Sequence, residues 1–239
     1  MKRVLVTGGS GALGGRIVRE LAKRGARVAF TYCDSSDAAM ATREAAPGSS
    51  AHCVDLTRLD ALGASLDAMA HELGGVDALV HAAALTSTVG RRHWDSLSDA
   101  TPEGWDALFA VNVRSAFFAA RHLVEHLANG NVVLVGSVDG VKALPAPIAY
   151  ATSKAALSGL ARVLAKELGP KNVRVNVLAP GLLEAGASEP VPAELRAEYV
   201  KHASLKRVGT LDEAARVIAA FALTNTYVTG QTISIDGGL

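Results

Sequence analysis

Short, nearly unbroken apolar runs alternate along this chain with longer stretches in which apolar positions recur every three or four residues. The runs are Arg3 to Thr7, Arg27 to Thr31, Ser50 to Val54, Val76 to His81, Asn131 to Val135, Val173 to Leu178 and Thr232 to Ile235. Their length and continuity predict buried parallel strands. Between them the helical spacing predicts a helix carrying Leu13, Ile17, Val18 and Leu21 on one face. Further helices are predicted over Ser36 to Ala46, Leu59 to Leu73, Glu103 to Ala128, Ile148 to Leu168 and Leu211 to Leu223. Strand–helix alternation with right-handed crossovers gives an α/β fold. The prediction is one doubly wound, Rossmann-type parallel sheet of about seven strands with helices on both faces. No linker, repeat or low-complexity tract interrupts the pattern, so residues 1–239 read as a single domain.

Composition narrows the picture. With 239 residues and 49% hydrophobic content, the chain is long enough to bury one substantial core. A net charge of +1 supplies no field to attract nucleic acid or an anionic membrane surface. No apolar run approaches the roughly 18 residues of a membrane span, and Met1-Lys-Arg leads straight into the first strand without an export signal's apolar segment. Cys33 and Cys53 follow no metal or redox spacing, so no metal site and a reduced, cytoplasmic setting are expected.

Ligands of such sheets sit outside the carboxyl ends of the strands. The first of these ends is a glycine-rich turn, Gly8-Gly-Ser10-Gly11-Ala12-Leu13-Gly14, opening directly into a helix. Glycines there let backbone N–H groups and the helix N-terminus approach a pyrophosphate, which predicts a dinucleotide site. Other strand ends carry Asp55 with Leu56, Ala82-Ala83-Ala84, Ser137, and Pro180-Gly181 shortly before Leu183. The helix after the fifth strand carries Tyr150 and Lys154, four residues apart and so on one face. An ammonium about 4 Å from a phenol, at an effective dielectric near 20, favours the phenolate by about 4 kcal/mol. That interaction would bring the phenol down from about 10 and make it a general acid for an alkoxide. Other readings stand beside this: a surface pair for Tyr150 and Lys154, a loop cap for Ser137, a helix-kink partner for Asn112.

Together these pieces resemble the short-chain dehydrogenase/reductase family over essentially the whole chain. The resemblance rests on Thr7-Gly8-x-x-x-Ala12-x-Gly14, Asp55, Asn112, Ser137 thirteen residues before Tyr150-x-x-x-Lys154, Pro180-Gly181 and the terminal Asp-Gly-Gly. It implies that Tyr150 donates the proton, that Ser137 holds the substrate carbonyl, and that Lys154 lowers the Tyr150 pKa and binds the nicotinamide ribose. It gives Asn112 a water that links Lys154 to solvent. The cofactor would lie against the glycine-rich turn, Tyr32, Ser35, Asp55, Leu56, Ala82 to Ala84, Tyr150, Lys154, Pro180, Gly181 and Leu183. Where relatives that use NAD place an Asp against the ribose hydroxyls, this chain has Tyr32, and Ser35 or Ser36 could meet a 2′-phosphate. NADP is therefore expected, with Asp34 opposing it and NAD left open.

Among family members the chain looks most like 3-oxoacyl-thioester reductases. That implies a ketoreductase acting on a 3-oxoacyl thioester or polyketide-like ketone, cytoplasmic and homo-oligomeric as a tetramer or dimer. The alternatives are a dehydrogenase of a sugar, steroid or other small secondary alcohol, and a non-catalytic dinucleotide sensor. Enoyl reduction is disfavoured, because related enoyl reductases space the Tyr and Lys more widely. Three departures stand out: Ala12 for the middle glycine, His81-Ala-Ala-Ala84 for Asn-Asn-Ala-Gly, and Ala185 for a common Thr. His81 either ties strands together as the Asn does or is simply a packed histidine. Segments 86–101 and 182–208 flank the rim, and the second resembles the variable substrate loop and short helix of relatives. Trp94, Leu182, Leu183 and Tyr199 are candidates for an apolar pocket. Arg91, Arg92 and His93 could meet a carrier protein, whereas His126-Leu-Ala-Asn-Gly130 lacks the basic residues that carrier-protein reductases place before strand five.

Overall fold

The computed structural model describes residues 1–88, 94–127 and 129–239. Its sheet has seven strands: β1 (Arg3–Thr7), β2 (Arg27–Tyr32), β3 (Ser50–Cys53), β4 (Ala78–His81), β5 (Asn131–Val135), β6 (Arg174–Pro180) and β7 (Thr232–Ile235). Every pairing is parallel, in the order β3-β2-β1-β4-β5-β6-β7. The strand order reverses between β1 and β4, which opens a crevice at their carboxyl ends.

Alternation within each strand divides the core. Leu5, Leu79, Val132, Leu134, Val175 and Val177 face one side, where α3 (Leu59–Leu73), α5 (Ser115–Leu123) and α6 (Ile148–Leu168) pack. Val4, Val6, Val28, Phe30, Val80 and Val133 face the other, against α1 (Ala12–Lys23), α2 (Ser36–Ala45) and α8 (Leu211–Thr224). Side chains such as Leu5, Leu79 and Phe30 are wholly buried, each burial stabilising the fold by about 2 kcal/mol. Helix ends follow local chemistry. Thr210 and Glu213 form a capping box at the start of α8, and Gly74, with φ of +77°, closes α3 in the left-handed conformation.

The predicted long helix over residues 103–128 is instead three pieces. α4 (Pro102–Phe109) leads into a π-helical turn over Ala110–Arg114, and α5 ends at Leu123. The widened turn places Asn112 fully inside the protein, where its side chain holds the loop after β4. An amide pair fixed to backbone outside the helix is the physical reason the α-helical ladder gives way there. A short helix, α7 (Ala193–His202), stands in segment 182–208, where a substrate loop with a short helix was expected. No helix among the described residues is long and apolar enough to cross a membrane.

Candidate active site

The carboxyl ends of the strands open into a cavity of about 1440 Å³. Of the residues singled out in the sequence, Asn112 and His81 are buried behind the wall. The glycine-rich turn, Tyr32, Ser35, Asp55, Leu56, Ala82, Ala83, Ala84, Ser137, Tyr150, Lys154, Pro180, Gly181 and Leu183 all line the cavity.

One end is built from backbone. Gly8 has φ of +72°, and a Cβ there would come within 2.6 Å of the Ala83 Cα. A Cβ on Gly14 would lie 2.1 Å from the Gly8 carbonyl oxygen, so the first turn of α1 packs directly on the loop. The N-cap of α1 is Gly11, with no side-chain cap and no acidic residue in the first turn. These N–H groups are thus left for an external anion, and the site fits a dinucleotide pyrophosphate. Ala12 does not close the cavity. Further along, Asp55 accepts two hydrogen bonds from Thr57, at 2.9 and 2.7 Å, which hold its carboxyl below the usual range. The wall near Tyr32 carries Cys33, Asp34, Ser35 and Ala38 and, among the described residues, no lysine or arginine.

His81 ties strands together. Its Nδ1 lies 2.9 Å from Thr7 Oγ1, and its Nε2 lies 3.5 Å from Ser115 Oγ. Burial first, then the Lys154 charge, bring its pKa down to about 3, so it is neutral at ordinary pH.

The other end carries the ionisable groups. Tyr150 and Lys154 lie buried on one face of α6, with Lys154 Nζ 5.7 Å from the Tyr150 ring centre. The ammonium donates to the Val135 carbonyl at 2.9 Å. Burial brings Lys154 down to about 8, while Asp139 opposes that shift. The expected depression of Tyr150 is not found in the protein alone. Burial and the nearby Asp139 charge push the phenol above its ordinary value, and the Ser137 hydroxyl offsets only part of that. The Lys154 ammonium is directed at the Val135 carbonyl and not at the phenol.

Ser137 does two things at once. Its Oγ accepts from the Asp139 backbone N–H at 3.3 Å, capping the short turn Val138–Gly140, so the loop-cap reading holds. The same Oγ donates to Asp139 Oδ2 at 2.9 Å. Asp139 was not foreseen from the sequence; an acid two residues beyond a hydroxyl donor at a strand end is the signal that could have found it. Burial raises its pKa, opposed by the Ser137 hydrogen bond and the Lys154 charge. Asn112 Oδ1 accepts from Leu85 N at 2.7 Å, while its Nδ2 donates to Leu85 O and to Ser153 Oγ, both at 2.9 Å. Ser153 Oγ donates in turn to the Tyr150 carbonyl at 2.7 Å, so Asn112 braces the helix that carries the site.

Trp94, Leu182, Leu183 and Tyr199 line the cavity as expected, joined by Leu144, Val191 and Leu239. Tyr199 donates to the Asp236 carbonyl at 2.7 Å. Lys142, another residue the sequence did not reveal, pairs with the Asp236 carboxylate at 2.7 Å and bonds the Leu239 carbonyl. Gly237 and Gly238, at φ of +70° and +77°, turn the chain back for these contacts. Arg91, Arg92 and His93 lie outside the described residues.

Comparison with known proteins agrees with this architecture. Residues 9–239 match the family model described as enoyl-(acyl carrier protein) reductase. The chain is 32% identical, over all of its length and 97% of the relative's, to the 3-oxoacyl-acyl-carrier-protein reductase FabG of Thermotoga maritima. It is 33% identical to the tetrahydroxynaphthalene reductase of Pyricularia oryzae, over 99% of this chain and 89% of that one. Among solved structures, a short-chain dehydrogenase from Burkholderia cenocepacia in complex with NADP superposes with a TM-score of 0.90 at 32% identity, covering 99% of this chain and 97% of that one. The chain belongs to the short-chain dehydrogenase/reductase family of oxidoreductases.

Proposed function

We propose that this protein is an NADPH-dependent ketoreductase that converts a ketone to a secondary alcohol. The observation that carries this reading is Ser137, Tyr150 and Lys154 on one wall of the cavity whose other end is the uncapped start of α1. Gly8 to Gly14, Asp55, Leu56 and Ala82 to Ala84 would hold the dinucleotide, with Lys154 and the Pro180 to Leu183 segment nearer its reactive ring. Bound there, the nicotinamide supplies a hydride to the carbonyl carbon.

The chain's own groups manage the oxygen. As the C=O electron pair moves onto oxygen, Ser137 Oγ donates a hydrogen bond to it and the Tyr150 hydroxyl gives up its proton to it. Burial and the Asp139 charge raise Tyr150, and the Lys154 ammonium, 5.7 Å from its ring centre, would favour the phenolate as it forms. Asn112 holds α6 in register through Ser153. Three groups in these roles favour turnover over a silent dinucleotide sensor, and the Tyr150–Lys154 spacing favours carbonyl over enoyl reduction.

NADP is supported by the NADP-bound relative and by Tyr32 in place of an acid, while Asp34 is engaged with the Cys33 thiol at 3.3 Å. Without a cation on that wall, the preference over NAD should be modest, about tenfold or less. A 3-oxoacyl thioester is supported by the FabG relative. A carrier-bound form has weaker support. His126 lies 3.3 Å from Asp67, and Lys171 pairs with Glu125 at 2.6 Å, so neither offers a free positive charge. Exposed Trp105, Phe117 and Val163 on α4, α5 and α6 support a homo-oligomer, and a cytoplasmic setting suits two free thiols. The test is loss of NADPH absorbance with acetoacetyl-CoA and with unesterified ketones, with NADH run beside it. Turnover with NADPH at the higher kcat/KM is expected. Tight cofactor binding without reduction of any ketone would refute the reductase reading.

A further inference from the structure

We infer that Asp139 is a specificity-determining residue that selects ketones bearing a hydroxyl or ammonium group one or two carbons from the reacting carbonyl. The inference rests on the reductase reading and deepens it by naming the substrate class.

The argument begins with what Asp139 touches. It is half-buried on the cavity wall beside Ser137, Tyr150 and Tyr199. Its only hydrogen-bond donor among the described residues is Ser137, which reaches Oδ2 at 2.9 Å. Oδ1 receives none from the described residues, and because none of their buried side-chain oxygens is both sealed off and unpaired, it opens on the cavity. Among the described residues no lysine or arginine pairs with this carboxylate; Lys154 acts on it through space, and Lys142 is committed to Asp236.

Ser137 has a single proton to give. In a productive complex that proton turns to the substrate carbonyl, and Asp139 loses its one donor at the moment a ligand also strips away its water. A carboxylate left so placed is costly, and a ketone without a nearby donor offers it nothing. A hydroxyl or ammonium on the substrate restores the bond. Geometry fixes where that group must lie. Oδ1 is one carboxylate width from Oδ2, itself 2.9 Å from Ser137 Oγ, and hydrogen bonds to either oxygen span about 2.8 Å. A donor on the carbon next to the carbonyl, or the one beyond, meets both conditions.

The experiment compares acetophenone, α-hydroxyacetophenone and α-aminoacetophenone as NADPH-dependent substrates of the native enzyme, Asp139→Leu and Asp139→Asn. Intrinsic reactivity cancels when each kcat/KM is divided by that for acetophenone within the same protein. The hydroxyl and amino preferences of the native enzyme should fall roughly ten- to hundredfold in Asp139→Leu, the worth of a hydrogen bond to a charged group. Asp139→Asn keeps an acceptor but no charge, so it should retain part of the hydroxyl preference and lose the amino preference. Should Asp139→Leu not fold, the split between the two ratios in Asp139→Asn carries the test alone. Ratios that match those of the native enzyme would overturn the proposal and leave the reductase reading standing. No reduction of any of the three by native enzyme that reduces acetoacetyl-CoA would overturn the proposal alone; NADPH binding without reduction of any ketone, acetoacetyl-CoA included, would overturn both.

Discussion

Two buried cations sit at opposite ends of the same sheet, and they are treated differently. Arg174, at the amino end of β6, donates to Asn131 Oδ1 at 3.1 Å and to the carbonyls of Asn172 and Asn129 at 2.6 and 3.1 Å. Lys154, at the carboxyl end, has one backbone acceptor and a half-satisfied carboxylate nearby. A guanidinium held by three fixed acceptors, tying the approach to β6 to the start of β5, is a structural device. An ammonium buried with one bond is unstable on its own account, so its retention has to be explained by what it does to a ligand or a neighbouring group. The carboxyl rim collects such groups: Lys154, Asp139 and a Tyr150 raised by burial. The amino rim does not.

The comparison can be broken by mutation. The largest effect belongs to Tyr150→Phe, which removes the proton donor. Its kcat should drop by about 10²- to 10⁴-fold while NADPH affinity, read by fluorescence titration, is kept. Undiminished kcat would remove Tyr150 from the chemistry. At the other rim, Arg174→Met leaves two carbonyls without their donor and Asn131 Oδ1 with only a long bond from Asn225, and should cost about 3 kcal/mol, a fall in Tm of roughly 6–12 °C. Turnover per folded molecule should not change, and a selective loss of turnover would contradict the division of labour. His81→Asn probes the middle of the sheet and has the smallest effect. Since the folded pKa of His81, about 3, lies below its unfolded value near 6.5, the unfolded chain binds the extra proton as pH falls. Stability tied to His81 is complete above about pH 6.5 and lost towards pH 3, by about 2 kcal/mol at pH 5. Urea unfolding at pH 8 and pH 5 should show that difference shrink in His81→Asn; an unchanged difference would place the acid sensitivity elsewhere.

The sheet was legible because buried parallel strands are written as apolar runs, and all seven runs became strands within two residues of their predicted ends. The cofactor wall was legible for a related reason. Gly8 and Gly14 are dictated by backbone approach, which leaves few residue choices. The π turn at Ala110–Arg114 was not, since one widened turn hardly changes a helix's apolar spacing. Asp139 and Lys142 escaped because their roles depend on partners that folding brings alongside: Ser137 and the cavity for one, Asp236 and Leu239 for the other. The Tyr150–Lys154 spacing put both groups on one face of α6, while the burial that raises the phenol was not written in it. Sequence spacing places two charges on one face without telling how deeply either is buried.

The claim that the rim at the carboxyl ends holds its charge for chemistry, at the expense of stability, is tested most directly by Lys154→Met, measured for turnover and for urea unfolding on the same preparation. The account predicts kcat/KM reduced at least about a hundredfold together with stability equal to or above that of the native protein. Retained turnover, or a loss of stability like that expected for Arg174→Met, would contradict it.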